Sequence, residues 1–220
     1  MKGDHKGMKT PQFQLYGGAP VQWALTGLRD ERTGTSEFRR LARIVCSSAV
    51  EFAAADFDSR KFKIKTPTGA TAIGSTPAGR VIFVPVMRSG DRMADAAAHL
   101  IPDVRIHHIG LERDHKTLKA RCYYQKKPRN PRTIWQCLVL DPMIATGGSA
   151  VDALFLVKKW GLLCPITLVG IFAALEGIKE INRKHPDVRI CVGAIDPELN
   201  KKGYIIPGCG DFGDRDNGTE

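Results

Sequence analysis

No C-x-x-C pair occurs among the six cysteines of this 220-residue chain; residues 46, 122, 137, 164, 191 and 209 are scattered. That spacing argues against a zinc site and against a disulfide framework, and leaves buried or incidental thiols as the reading. No run approaches the roughly 18–20 apolar residues that a membrane span needs. The opening stretch MKGDHKGMKTPQFQLYGG has no apolar core of a secretory signal, so a cytoplasmic protein with no membrane partner is expected. A long block of like charge is missing too, although the net charge is +10. The densest basic run, Lys126-Lys127-Pro128-Arg129, reads as a loop with no aromatic stacking platform beside it. The charge therefore suits a small polyanion better than nucleic acid. His107-His108 lies in VRIHHIG, where strand alternation sends the two rings to opposite faces, away from a common metal.

What is present reads as one α/β domain. Residues 1–22 lack periodicity and suggest an extended arm before a domain over 23–220, with no repeats and no linker. From Ser36, the residues Phe38, Leu41, Ala42, Val45, Ala49 and Phe52 recur at helical steps. KFKIKTPTGATAIG predicts a hairpin or edge strands around Thr-Pro-Thr-Gly. Apolar runs at 81–86, 104–110, 133–140, 166–174 and 188–195 alternate with helical patterns. One such pattern starts near Ser149 with Val151, Leu154 and Phe155 as its apolar face; another spans 176–185. Continuous apolar strands spaced by helices predict a parallel sheet covered on both faces. Ligands then sit beyond the carboxyl ends of the strands, in the turns at 87–92, 111–115, 141–149 and 174–177. Arg88, Arg113 and Asp141 fall in three of these.

The turn at 141–149 carries the most information. LVLDPMIATGGSA is an apolar strand, one acid and a small-residue turn opening a helix. Backbone N–H groups from Ala145 to Ser149 can surround a phosphate, helped by the hydroxyls of Thr146 and Ser149. Gly147 and Gly148 would let that backbone come close. A plain βα turn with Ser149 as helix cap is the alternative. Asp141 favours the phosphate reading: a carboxylate ending a buried strand is costly without a partner, and two ribose hydroxyls would supply one. Sugar and 5′-phosphate together describe a phosphoribosyl group.

DPMIATGGSA resembles the 5-phosphoribosyl 1-diphosphate (PRPP) loop of the type I phosphoribosyltransferases. Its Asp141-Pro142, in place of two adjacent acids, is similar to the uracil phosphoribosyltransferase branch. The likeness extends to Leu28-Arg29-Asp30, to Pro85-Val86-Met87-Arg88-Ser89-Gly90, to His108-Ile109-Gly110-Leu111-Glu112-Arg113-Asp114, and to the segment from Gly203 to Arg215. The resemblance implies a type I phosphoribosyltransferase fold with a parallel sheet flanked by helices, a flexible flap and a C-terminal hood segment for the base. It implies transfer of a phosphoribosyl group from PRPP to uracil, giving UMP and diphosphate. Arg88 and Arg113 would neutralise the diphosphate and Asp141 would hold the ribose hydroxyls. Pro142, Met143, Ile144, Ala145, Thr146, Gly147, Gly148 and Ser149 would cradle the 5′-phosphate. Ile205, Gly210, Asp211 and Phe212 would bind uracil largely through backbone groups, with Asp211 also near PRPP and its Mg²⁺. A homodimer or homotetramer, with GTP as a candidate effector, belongs to the same expectation.

Residues 120–132, with two prolines and dense charge, are the expected flap. The chain departs from the family pattern at Ser89, Asp91-Arg92, Glu112, Leu175 and Phe212; Glu112 places a carboxylate beside the diphosphate site, where it must point away or pair. Gly208-x-Gly210-x-x-Gly213 matches a dinucleotide fingerprint, but only seven residues follow it, too few for the required helix, strand and acid. Two other readings stay open: a nucleotide-binding regulator without catalysis, and a transferase for another base.

Overall fold

The computed structural model describes residues 12–113 and 120–219. β1 (Gln14–Leu15), α1 (Ala19–Arg29) and α2 (Thr35–Ala54) lead into a hairpin of β2 (Ser59–Lys65) and β3 (Thr71–Pro77). Then come β4 (Arg80–Met87), α3 (Ser89–Ala97), β5 (Arg105–Ile106), β6 (Ile109–Arg113) and β7 (Ala120–Gln125). β8 (Ile134–Leu140) continues through β9 (Met143–Ile144) into α4 (Gly148–Lys159). β10 (Ile166–Val169), β11 (Phe172–Ala174), α5 (Leu175–Lys184), β12 (Arg189–Val192) and β13 (Ala194–Asp196) follow. A small hairpin, β14 (Glu198–Leu199) with β15 (Ile205–Ile206), and α6 (Phe212–Asn217) complete the described chain.

The main sheet has the order β1-β12-β10-β8-β4-β6-β7, with β5 beside β4. Its pairings are parallel except for β6 with β7. Alternate side chains feed two cores. Phe83, Leu138 and Leu140 pack with α1, α2 and α3 on one face, while Ile82, Val84, Cys137 and Val139 pack with α4 and α5 on the other. Burial on both faces explains why these strands are apolar without alternation, as expected from the sequence.

Three expectations need correction. The boundary expected at residue 22 falls inside α1. Val21, Ala24, Leu25 and Leu28 recur at helical spacing and are buried, and Pro20 suits a helix start. Gln14 and Leu15 add a parallel strand to β12, so the described part of the expected arm belongs to the sheet. Second, the runs at 104–110, 166–174 and 188–195 are each broken. Pro142, which has no N–H to donate, interrupts β8 and β9; Gly170-Ile171 separates β10 from β11, and Gly193 separates β12 from β13. The pieces beyond the breaks after β8, β10 and β12 form a second parallel sheet, β13-β11-β9, whereas β6, beyond the break in 104–110, stays in the main sheet beside β4. At the break the N–H groups of Ile171 and Phe172 both donate to Pro142 O at 3.0 Å, as an inserted residue requires. Third, α4 buries Ala150, Ala153, Leu154 and Val157, whereas Phe155 is 51% exposed, with Lys159 Nζ 4.2 Å from its ring centroid.

The expected hairpin at 61–74 is present. Thr66 N donates to Ala70 O, Gly69 takes φ +82°, and β2 and β3 stand apart from the main sheet with Phe62, Ile64 and Ile73 exposed. The His107 and His108 rings diverge in the gap between β5 and β6. His107 Nδ1 donates to Lys126 O, and His108 Nε2 lies 3.6 Å from Asp91 Oδ1. Among the described residues the six thiols are free, and Cys46, Cys137, Cys191 and Cys209 are buried. Burial pushes the Cys209 thiol up to about 12, far from a reactive thiolate.

Candidate active site

Asp141 follows directly on β8. It is 8% exposed, and its own N–H donates to Val169 O at 3.0 Å, which fixes it at the carboxyl end of the sheet. Among the described residues, the donor to its side chain is Met143 N–H, at 3.3 Å from Oδ1. Desolvation raises its pKa to about 6, partly offset by that N–H.

Beyond it the chain wraps a cavity of about 120 Å³ lined by Asp141, Met143–Ala150, Lys202 and Gly203. Gly147 caps α4 at φ +83°, and a Cβ there would lie 2.8 Å from Gly177 O. A Cβ on Gly177 would meet Ala145 O even more closely. The turn thus rests directly on the first turn of α5, and both glycines are required by contact. Thr146 is half-buried and Ser149 exposed, and both line the cavity.

Arg88 precedes α3, and the Met87–Arg88 peptide is cis. A Cβ on Gly90 would run into Leu140 O, so the Arg88-Ser89-Gly90 turn lies against the residue before Asp141. Arg88 is largely exposed and reaches Asp214 Oδ1 at 3.4 Å. Asp211 caps α6, accepting from Asp214 N at 2.9 Å. A Cβ on Gly213 would lie 2.8 Å from Ser89 Oγ, which leaves no gap between the C-terminal segment and the Arg88 turn. Arg113 ends β6, next to β4 in the sheet; its side chain, like Asp114, lies outside the described residues. Residues 120–125 of the expected flap form β7, antiparallel to β6.

Ile205 is buried in β15, which packs against β11, while Gly210 and Asp211 are exposed. Cys209 Sγ lies 3.7 Å from Met143 Sδ, so the segment expected to bind the base and the Asp141 turn are in contact. Phe212 differs from a ring lining a base pocket. It is 1% exposed and packs edge-on to Phe38 of α2, with ring centroids 5.1 Å apart. Its side chain is core; only its backbone is left for a ligand. Among the departures, Glu112 faces Arg121 across the β6–β7 hairpin, at 4.0 Å. Arg92 forms bonds of 2.9 and 3.0 Å to the buried Asp216 of α6, tying α3 to the C-terminal segment.

Two arginines that the sequence offered only as motif letters brace the segment expected to bind the base. Arg29 makes a bidentate pair with the buried Asp196 at 2.9 and 2.7 Å and donates to Gly208 O, while Gly208 N donates to Asp196 Oδ2. The Arg215 guanidinium is buried over the Phe38 ring and donates to Leu28 O, Cys209 O, Asp30 O and Thr33 O. Lys202 and Gly177 were also missed; their sequence signals were a Lys-Gly turn and a glycine opening a helix.

A Mg²⁺ bound with a diphosphate takes most of its ligands from phosphate oxygens and water, with one or two carboxylates. The residues present fit that mode. Among the described residues no cluster of three or more His, Cys, Asp or Glu could cage a metal, while Asp211 stands beside the Arg88 turn. No helix among them is long and apolar enough to cross a membrane.

The structure of the AQ2163 protein from Aquifex aeolicus superposes with a TM-score of 0.86 at 29% identity, covering 94% of this chain and 99% of that one. The uracil phosphoribosyltransferase of Roseiflexus sp. is 44% identical over 199 residues, covering 90% of this chain and 94% of its own length. That of Shouchella clausii is 40% identical over 200 residues, covering 91% and 95%. The family model for uracil phosphoribosyltransferase matches residues 18–219, and the chain belongs to that family.

Proposed function

We propose that this protein transfers the 5-phosphoribosyl group of PRPP to N1 of uracil, releasing diphosphate and forming UMP. The observation that carries the reading is Asp141. It is a buried carboxylate beside a small cavity at a helix start, with the Arg88 turn on one side and the base segment on the other. In the reaction the N1–C1′ bond forms as the bond from C1′ to the diphosphate oxygen breaks. The diphosphate departs with the bonding electrons, and the N1 proton is released to water.

Positive charge builds on the ribose and negative charge on the leaving group. Arg88 and Arg113 neutralise the diphosphate, an electrostatic contribution that grows as the bond breaks. Arg88 must leave its 3.4 Å contact with Asp214 to do so; at its exposure that contact is weak. Asp141 accepts from the ribose hydroxyls, and residues 142–149 hold the 5′-phosphate through N–H groups and the Thr146 and Ser149 hydroxyls. Ile205 and the backbone of Gly210, Asp211 and Phe212 orient uracil, mainly a proximity effect. Backbone donors and acceptors that pair with the uracil edge would be left unpaired by cytosine. Mg²⁺ bound with PRPP, near Asp211, would offset charge on the leaving diphosphate.

An assembly of two or four copies accords with the projecting β2–β3 hairpin and its exposed Phe62, Ile64 and Ile73. The catalytic reading is tested by incubating the purified protein with PRPP, Mg²⁺ and uracil, cytosine or a purine base, and identifying the product. UMP from uracil alone is expected. A folded protein that yields no UMP would instead favour the non-catalytic reading.

A further inference from the structure

The cavity beside Asp141 has one lining cation among the described residues, and it comes from a distant part of the chain. Its other lining residues are Asp141, apolar or small side chains, and two hydroxyls. A phosphate dianion there would meet backbone N–H dipoles and hydroxyls on one side and a buried carboxylate on another. The compensating charge within reach is Lys202.

The placement of Lys202 is locally built. It lies in the turn between β14 and β15, where Asn200 Oδ1 accepts from Lys202 N at 2.9 Å and from Tyr204 N at 3.0 Å. Asn200 N donates to Tyr204 O and Gly203 N to Asn200 O, both at 2.9 Å, with Gly203 at φ +83°. Gly203 lines the cavity beside Lys202. The Lys202 side chain is exposed, and it appears in none of the ion pairs found among the described residues. A lysine in this position is a mobile point charge able to meet an incoming phosphate.

We propose that Lys202 binds the 5′-phosphate of PRPP, closing the cradle of residues 142–149 from the β14–β15 turn. This rests on the phosphoribosyl-transfer reading above. The same hairpin returns through Ile205 into the base segment, so one short element touches both ends of the product nucleotide.

The test compares wild type, Lys202→Ala and Lys202→Arg in steady-state kinetics, with calorimetric titrations of ribose 5-phosphate and of diphosphate as probes. A charge-assisted contact predicts that Lys202→Ala raises KM for PRPP and weakens ribose 5-phosphate by about tenfold. Diphosphate binding and KM for uracil should stay within about twofold, and Lys202→Arg should recover most of the loss, since a phosphate accepts either cation. A purely structural role in the turn would instead raise KM for uracil alongside PRPP and resist rescue by arginine, overturning the proposal. So would unchanged PRPP and ribose 5-phosphate affinities in Lys202→Ala. If wild type forms no UMP, the transfer reading falls and this inference with it. If wild type forms UMP and Lys202→Ala equals it, this inference alone falls.

Discussion

Replacing Asp141 with asparagine should stabilise the ligand-free protein while impairing its reaction. The carboxylate is buried, and its pKa is raised to about 6 from an ordinary 3.8, with desolvation as the main cause. Between these two pKa values the folded state holds a proton that the unfolded chain has released. Folding stability therefore falls as pH rises through this window and levels off above it. A displacement of about two pKa units corresponds to roughly 3 kcal/mol of destabilisation at neutral pH, absent below about pH 4. Asparagine keeps an oxygen to accept from Met143 N–H and carries no charge to desolvate. Urea unfolding of the ligand-free pair should show Asp141→Asn ahead by about 2–3 kcal/mol at pH 7.5, with the gap closing toward pH 4. The activity should move the other way. Loss of charge-assisted bonds to the ribose hydroxyls predicts a fall of about 10–100-fold in kcat/KM for PRPP. Below pH ~6 the wild-type kcat/KM for PRPP should decline as Asp141 takes up a proton. The phosphates of PRPP titrate in that range too, so the diagnostic feature is the part of the acid limb that Asp141→Asn removes. A stability gap independent of pH would refute the desolvation argument, and unchanged PRPP kinetics would show Asp141 to be structural.

Other residues give separable outcomes. Phe212→Ala should cost about 3–5 kcal/mol of stability through the cavity left against Phe38, yet retain the uracil-to-cytosine ratio of kcat/KM; a collapsed ratio would mean that the ring shapes the base pocket. Asp196→Asn weakens the bidentate pair with Arg29 and the bond from Gly208 N, and should cost on the order of 3 kcal/mol. Its KM for uracil should rise more than its KM for PRPP, and equal changes would detach this pair from the base segment. Arg88→Ala should weaken diphosphate binding by about tenfold or more with the thermal midpoint little changed, since the side chain is exposed. Limited proteolysis within residues 120–132 should slow when PRPP and Mg²⁺ are added, and equal cleavage with and without ligand would remove the flap's gating role.

Much of the fold was legible because the physics was local. A strand covered on both faces must be apolar throughout, so β4 and β8 stood out, as did the acid and glycine turn ending β8. The misses have different causes. The start of α1 was visible in the spacing of Val21, Ala24, Leu25 and Leu28, but its flanks lacked a side-chain cap to draw the eye. Phe155 misled because an aromatic on a helix can rest on the surface under a lysine ammonium group. The strand breaks depend on three neighbours interrupting at one level, information held between strands and absent from any one run. Glycines inside the apolar runs hinted at close backbone approach: a Cβ on Gly170 would lie 2.8 Å from Ile144 Cδ1 and 3.0 Å from Asp141 O. Least legible were Arg29 with Asp196, and Arg215 with the loop after α1. These partners are 167 or more residues apart, and only tertiary packing joins them.

The level of the breaks also explains how a core strand can end in a carboxylate. Cys137 through Leu140 are wholly buried, so the next residue of an uninterrupted strand would carry its charge into the apolar layers on either side. Pro142 ends the ladder immediately after Asp141, and its carbonyl takes the N–H groups of both Ile171 and Phe172. The neighbouring strand thus keeps its backbone bonds satisfied while the sheet shifts. The carboxylate falls at the seam between the two sheets, still desolvated but beside the cavity that Thr146 and Gly147 begin to wall. A charge placed further back in β8 would be out of reach of a ligand. One placed on the exposed rim would already be hydrated and would discriminate less between ribose and water. The seam is where this fold can hold a carboxylate dry enough to favour a sugar's hydroxyls and open enough to meet them.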